Sequence, residues 1–268
     1  TDAIARYAGI KGYTTTLSTA CSSAANAVIT GAKLLKHNIV DTVVVGGSDA
    51  LSAFTLNGFK SLMILDEKPC RPFDETRAGL NLGEGAGYIV LQREEDATNY
   101  ICHLGGYANR NDAHHQTASS AEGNGAYMAM AEAVAMAGIE PSAVDYINAH
   151  GTSTHLNDQM ETKAFKRVFG EEGAKKINIS STKSMHGHLL GAAGALEAAI
   201  TALAIHEGFV PPTINYENPD LEVDVEKGET PLDLNYTPNK GVERDIRVAV
   251  SSSLGFGGHN GILVFKKA

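Results

Sequence analysis

The 268 residues carry 22 Lys and Arg against 31 Asp and Glu, a net charge of −9, and this acidic excess argues against a general nucleic-acid binder. Hydrophobic residues make up 43% and charged residues 20%, the balance of a soluble globular protein; no apolar run is long enough for a bilayer and no stretch reads as a signal peptide. Three cysteines, Cys21, Cys70 and Cys102, form no CxxC pair and no even set, which speaks for a reducing, cytoplasmic location rather than a disulfide framework.

In chain order, "YTTTLS" (13–18) predicts a buried strand, and 22–37, rich in Ala and other small residues, predicts a helix. Further strands are predicted at 42–47, 88–92, 145–149, 177–181, 247–251 and 261–265, and helices at 125–138, 157–169 and 190–206. The alternation implies an α/β architecture with helices on sheets. A weak repeat is visible. A strand followed by a small-residue helix occurs at 13–37 and again at 177–206. Each is followed later by a glycine-rich loop running into a strand, "GEGAG" before 88–92 and "GFGGHNG" before 261–265. The second copy has a helix and a strand (125–149) ahead of its matching part, and the first has no room for them. The N-terminal copy is therefore expected to be truncated, with the halves divided as 1–96 and 97–268. Thr1 in place of methionine agrees with a fragment or a processed chain.

Four stretches carry candidate chemistry. In "TLSTACSSAANAV", Cys21 stands where strand turns into helix; backbone N–H groups and the helix dipole favour a thiolate there. Its small neighbours leave room for a substrate, whereas Cys70 and Cys102 lack this setting and read as structural. In "NAHGTSTHLND", His150 follows a strand, a position well placed for a crevice, with hydroxyls at Thr152, Ser153 and Thr154; a plain loop histidine capped by those hydroxyls fits equally. In "SSTKSMHGHLLGAAGALEAA", Lys183, His186 and His188 precede a helix whose "GAAGA" allows close backbone approach. Ser180-x-x-Lys183 lacks the KTG and SDN partners of a serine β-lactamase, and His186-x-His188 lacks further ligands at metal spacing, so no metal is assigned. Glu197, inside an apolar helix, needs a partner if buried, and Lys183 is the candidate. In "SSSLGFGGHNG" there is no Walker pattern; Phe256 between glycines suits a gate, and a backbone N–H there suits an oxyanion hole.

Together, "STACSS", "GGSDA", "CRPFDETRAGLNLGEGAGYIVL", "INAHGTST..ND", "SSTKSMHGHLLGAAGALEA", "PPTIN" and "SLGFGGHN" resemble the β-ketoacyl-acyl-carrier-protein synthases, and most of all their elongating type I/II branch. The resemblance spans nearly the whole chain in order. It implies the thiolase fold, two similar halves stacked as a five-layered α/β/α/β/α sandwich, and independently suggests an absent N-terminal segment. It also implies roles. Cys21 is the acyl-accepting nucleophile, and His150 and His188 complete a Cys-His-His triad. Lys183 organises the site, with Glu197 as the buried acid beside it. Phe256 is the gate, whose N–H joins that of Cys21 in an oxyanion hole, and Thr152 and Thr154 touch the pantetheine arm. Asp158 matches a motif position without a clear chemical role. Four features depart from the common pattern: His155 in place of proline, His186 in place of threonine, Leu254 in place of phenylalanine, and the run "CSSAAN". They neighbour the pocket and bear on substrate length and type.

The implied reaction is a decarboxylative Claisen condensation. Malonyl-acyl carrier protein and a cysteine-bound acyl chain give 3-oxoacyl-acyl carrier protein, with no cofactor beyond the carrier's phosphopantetheine. A thiolase would need a second reactive cysteine, and none follows Cys102. A polyketide or polyene ketosynthase uses the same residues, and a non-catalytic chain-length subunit or an inactive fragment is a further alternative. A homodimer paired through 13–18, with acyl carrier protein as partner, is also implied; the segment is rich in β-branched threonine, with no proline or charge to block edge pairing.

Overall fold

The computed structural model describes residues 1–268, apart from the side chain of Val225. A short helix α1 (Asp2–Tyr7) leads through an extended segment to α2 (Ser23–Lys36). The buried residues of α2, Ala24, Ala25, Val28 and Ile29, recur at helical spacing, and Lys33 and Lys36 close its last turn where cations offset the dipole. β1 (Thr42–Asp49) and β2 (Gly85–Gln92) pair antiparallel, from Thr42 opposite Gln92 to Asp49 opposite Gly85. Between them lies α3 (Ala53–Ser61), capped by Ser52, whose hydroxyl accepts the Thr55 N–H.

The second half is built on a five-stranded mixed sheet of β3 (Cys102–Asn111), β4 (Tyr146–Asn148), β5 (Asn178–Ser180), β8 (Val248–Gly255) and β9 (His259–Lys267). Its order is β3-β9-β8-β4-β5. β5, β4 and β8 run parallel, and β9 and β3 are antiparallel additions. The helices are α4 (Asn124–Met136), α5 (His155–Phe169), the one-turn α6 (Glu171–Ala174) and α7 (Lys183–His186), and α8 (Ala193–Glu207). A small ribbon pairs β6 (Phe209–Val210) with β7 (Val242–Glu243).

α2 and α8 lie between the two sheets, while α4 and α5 cover the far face of the large one. One apolar core, with Val28, Val45, Ala198 and Leu263, fills the gap between the sheets. The other, with Met130, Ile147, Phe165 and Val250, lies under α4 and α5. β8 feeds both and is buried almost along its length. Four of the five expected layers are therefore present among the described residues. The outer face of β1 and β2 carries exposed Val44, Tyr88 and Val90.

Besides the short α1, α6, α7, β6 and β7, which no periodicity marks, three features differ from the sequence expectation. Residues 13–18 are extended but exposed and form no ladder, since no strand among the described residues lies beside them to accept their backbone bonds. α3 and β3 are additional. β3 reads "CHLGGYANRN", whose glycines and polar residues hide its alternation, and its register slips between Leu104 and Gly106.

Candidate active site

In α/β sheets, the crevice beyond the carboxyl ends of parallel strands collects functional side chains. His150 follows β4, Lys183 follows β5 and Phe256 follows β8, so three sequence-distant motifs emerge at one rim. Cys21 reaches the same place from the turn ahead of α2. A cavity of about 300 Å³ is lined by Cys21, His150, His188, Thr152, Thr154 and Phe256, with Phe59, Leu62, Ile64, Leu80, Leu156 and Leu254 as apolar walls. The Phe59 and Phe256 rings stack at 5.9 Å, so α3 supplies a wall that the sequence motifs did not identify.

The Cys21 thiol is buried, and its own backbone N–H and that of Phe256 both lie against it. Burial pushes its pKa up to about 11, with Lys183 and the two N–H groups pulling the other way. The resting thiol is therefore neutral at physiological pH. This corrects the expectation of a thiolate, because desolvation of the charged form outweighs the helix terminus.

The imidazoles of His150 and His188 meet edge to face, with centroids 5.2 Å apart. Both are buried, and burial followed by the nearby Lys183 cation holds both well below the ordinary histidine range, so both are neutral at pH 7. His188 accepts the Leu190 N–H at Nδ1 (3.3 Å), which leaves its proton on Nε2 as a donor. The backbone N–H groups of His150 and Gly151 donate to Oε1 and Oε2 of Glu161 at 2.7 and 2.8 Å. This buried carboxyl fixes the histidine loop; burial pushes it up to about 7 against those two hydrogen bonds. Glu161 was absent from the sequence reading. The available signal was its place one turn beyond Asp158, on the face of α5 turned toward β4.

Lys183 donates to Oε1 of Glu197, and both are fully buried. Lys183 does not line the cavity; it acts on the cysteine and histidines through its charge. Thr152 and Thr154 share a hydroxyl contact of 2.9 Å at the cavity wall. His186 lies outside the cavity, donating from Nδ1 to the Gly187 carbonyl (2.7 Å) with Nε2 beside the Thr182 hydroxyl (3.0 Å); burial and then Lys183 push it down to about 4. His155 is on the surface, 3.7 Å from Glu229. Asp158 gains a role here. It accepts the Phe73 N–H (2.8 Å) and faces Arg77 (3.6 Å), which donates to Asp220 (2.6 Å). That buried network ties loop 70–79 beneath the site, with the Phe73 ring stacked on Tyr236 at 4.0 Å.

The layering and the rim of parallel strands define a thiolase-type fold. Solved structures agree. A ketosynthase in complex with its type II polyketide acyl-carrier protein, bound to the hexaketide, superposes with a TM-score of 0.92 at 33% identity, over 100% of this chain and 66% of that one. A β-ketoacyl synthase from Burkholderia phymatum STM815 superposes at 0.89 with 30% identity, over 99% and 64%. The N-terminal domain model of β-ketoacyl synthases matches residues 3–97 and the C-terminal domain model residues 101–217. The chain belongs to the β-ketoacyl synthase family. It is 43% identical to 3-oxoacyl-[acyl-carrier-protein] synthase 2 of Staphylococcus aureus (strain COL) and 41% identical to nodulation protein E of Rhizobium sp. (strain N33). Each match covers 97% of this chain and 63% of that protein.

Proposed function

We propose that the chain performs a decarboxylative Claisen condensation of malonyl-acyl carrier protein with an acyl chain held on Cys21, giving 3-oxoacyl-acyl carrier protein in fatty-acid elongation. One observation carries this reading: a single thiol, two backbone N–H groups and two neutral imidazoles share one cavity. The 43% identity to an enzyme named for that product supports it.

In the first half-reaction, Cys21 Sγ attacks the thioester carbonyl and the oxyanion is held by the N–H groups of Cys21 and Phe256. The carbon–sulfur bond to the carrier breaks, and the proton that Cys21 gives up ends on the departing pantetheine thiol. Malonyl thioester then enters past Thr152 and Thr154. Its carboxylate leaves as CO₂, and the electron pair of that bond passes to the enolate, whose oxygen accepts the Nε2–H of His188 and a second donor from His150. The enolate carbon attacks the acyl carbonyl, the Cys21–acyl bond breaks, and the thiolate takes a proton from solvent to restore the neutral thiol. The chain's own residues suffice for these steps, and the pantetheine arm belongs to the substrate. Lys183 and Glu197 set the local field, and Phe256 closes the entrance against Phe59.

Polyketide condensation is the second reading. It is favoured by the likeness to the hexaketide-bound ketosynthase and to the ishigamide ketosynthase/chain length factor, with a TM-score of 0.91 at 34% identity. A non-catalytic chain-length role fits less well, since the thiol and both imidazoles are assembled. We also place the protein in the cytoplasm, with its three cysteines free; no helix is long and apolar enough to cross a membrane among the described residues. Exposed 13–18 suits pairing with a second copy across a two-fold axis. The test separates the half-reactions. Cys21→Ala abolishes acyl-enzyme formation yet retains malonyl decarboxylation. Retained acylation at another cysteine overturns the assignment. His188→Ala, losing one donor, lowers condensation by roughly 10²–10³-fold.

A further inference from the structure

The turn that carries Cys21 is held in an unfavourable shape. Ala20, directly before the nucleophile, has φ of 50°, a left-handed conformation that non-glycine residues rarely adopt. Such a conformation persists only where its surroundings over-determine it. Local bonds supply part of this: the Thr19 N–H donates to Ser23 Oγ (2.8 Å), and the Ser22 and Ser23 hydroxyls donate to the carbonyls of Thr19 (2.8 Å) and Ala20 (2.6 Å).

The rest comes from further away. The amide nitrogen of Asn26, a buried residue one turn into α2, donates to Thr19 Oγ1 at 2.8 Å. Its oxygen accepts from the side-chain amide of Asn109 on β3 at 2.5 Å. The Asn26 amide thus bridges the two, nitrogen toward Thr19 and oxygen toward Asn109. The turn in turn braces the gating loop: a Cβ added at Gly255 would lie 3.1 Å from the Thr19 carbonyl oxygen and 3.2 Å from the backbone nitrogen of Cys21. Displacing Thr19 therefore moves both N–H groups that face the thiol, that of Cys21 directly and that of Phe256 through Gly255.

We propose that Asn26, locked by Asn109, is a positioning residue for the nucleophile: the chain Asn109–Asn26–Thr19 holds the Cys21 turn so that both N–H groups bear on Sγ. The link runs from the large sheet into the half that carries the cysteine.

The acyl-transfer arm of the test rests on the function proposed above; the alkylation arm does not. Thr19→Val removes only the hydroxyl, Thr19→Ser keeps it, and Asn109→Ala frees the Asn26 amide. Iodoacetamide labelling of Cys21, read by peptide mass at about pH 8.5, reports the thiolate fraction well below the thiol's pKa. Thr19→Val and Asn109→Ala are expected to label about tenfold more slowly, the signature of a thiol raised by about one pH unit as it loses its N–H contacts. Acyl transfer falls in step while malonyl decarboxylation, which the histidines carry, holds at the wild-type rate, and Thr19→Ser behaves as wild type. Unchanged or faster labelling in both variants, or a parallel loss of decarboxylation and melting temperature, overturns the proposal. If the unaltered protein transfers no acyl group, the functional reading fails and the labelling series alone decides the relay.

Discussion

Cys21 stands at a helix N-terminus but is too buried to benefit from it as a free ion. With its pKa near 11, thiolate is scarce at neutral pH, and the thiol ionises only as pH rises through that value. Alkylation of the unaltered protein should therefore climb about tenfold per pH unit across the mildly alkaline range, with no plateau near neutrality; a plateau beginning at about pH 7 would contradict the assignment. The two histidines run the other way. Burial and Lys183 depress both, so neither gains a proton between about pH 6 and 8, and condensation is expected to show no histidine-shaped step there. The Lys183–Glu197 pair offers a sharper comparison. Lys183→Ala leaves a buried carboxyl without its cation and should cost about 3–5 kcal/mol of stability, measured by denaturant unfolding. Lys183→Met with Glu197→Leu should recover most of that stability without recovering the rate, because the field at Cys21 and the histidines is gone.

At the scale of elements, close approach decides what the sequence allows. A Cβ at Gly194 in α8 would lie 2.7 Å from the backbone nitrogen of Ala25 in α2, and one at Gly87 in β2 would lie 2.8 Å from the nitrogen of Leu196. Gly→Ala inside a helix ordinarily gains about 1 kcal/mol, yet Gly194→Ala should destabilise by about 1–3 kcal/mol in a thermal melt, since neither backbone can retreat. That contact was legible in "GAAGA", as were the strand ends that bear His150 and Lys183, because apolar runs ended by polar motifs survive without tertiary information. Other features were not legible. β3 has no alternation to read, since Gly105 and Gly106 interrupt it and Asn109 to Asn111 are polar. Residues 13–18 have the composition of a strand, but a strand is a property of two chain segments. Glu161 looked like any helical carboxylate until folding carried the His150 and Gly151 N–H groups onto it. The thiol's protonation state is illegible for a similar reason: a dipole can be inferred from a local turn, whereas burial depends on everything packed around it.

The whole molecule joins two sheets through α2 and α8 and places its chemistry where the halves meet. Stability should carry a mark of this. Glu161 is raised from 4.5 to about 7, so the native state holds a proton that the unfolded chain has released. Its contribution is present in full below pH 4.5 and is lost as pH rises through 7, and Glu161→Gln should flatten that part of the stability profile measured by denaturant titration. Assembly is tested by sedimentation at micromolar concentration, where a dimer paired through 13–18 is expected and a proline at Thr15 should weaken it. The central claim concerns Cys21 as the acyl acceptor, and incubation with acyl-loaded carrier proteins of graded chain length tests it most directly. Intact mass followed by peptide mapping should show a single acyl adduct on Cys21, lost in Cys21→Ala, with the chain lengths accepted separating fatty-acid from polyketide use. An adduct that persists in Cys21→Ala, or no adduct with any carrier, would contradict the account.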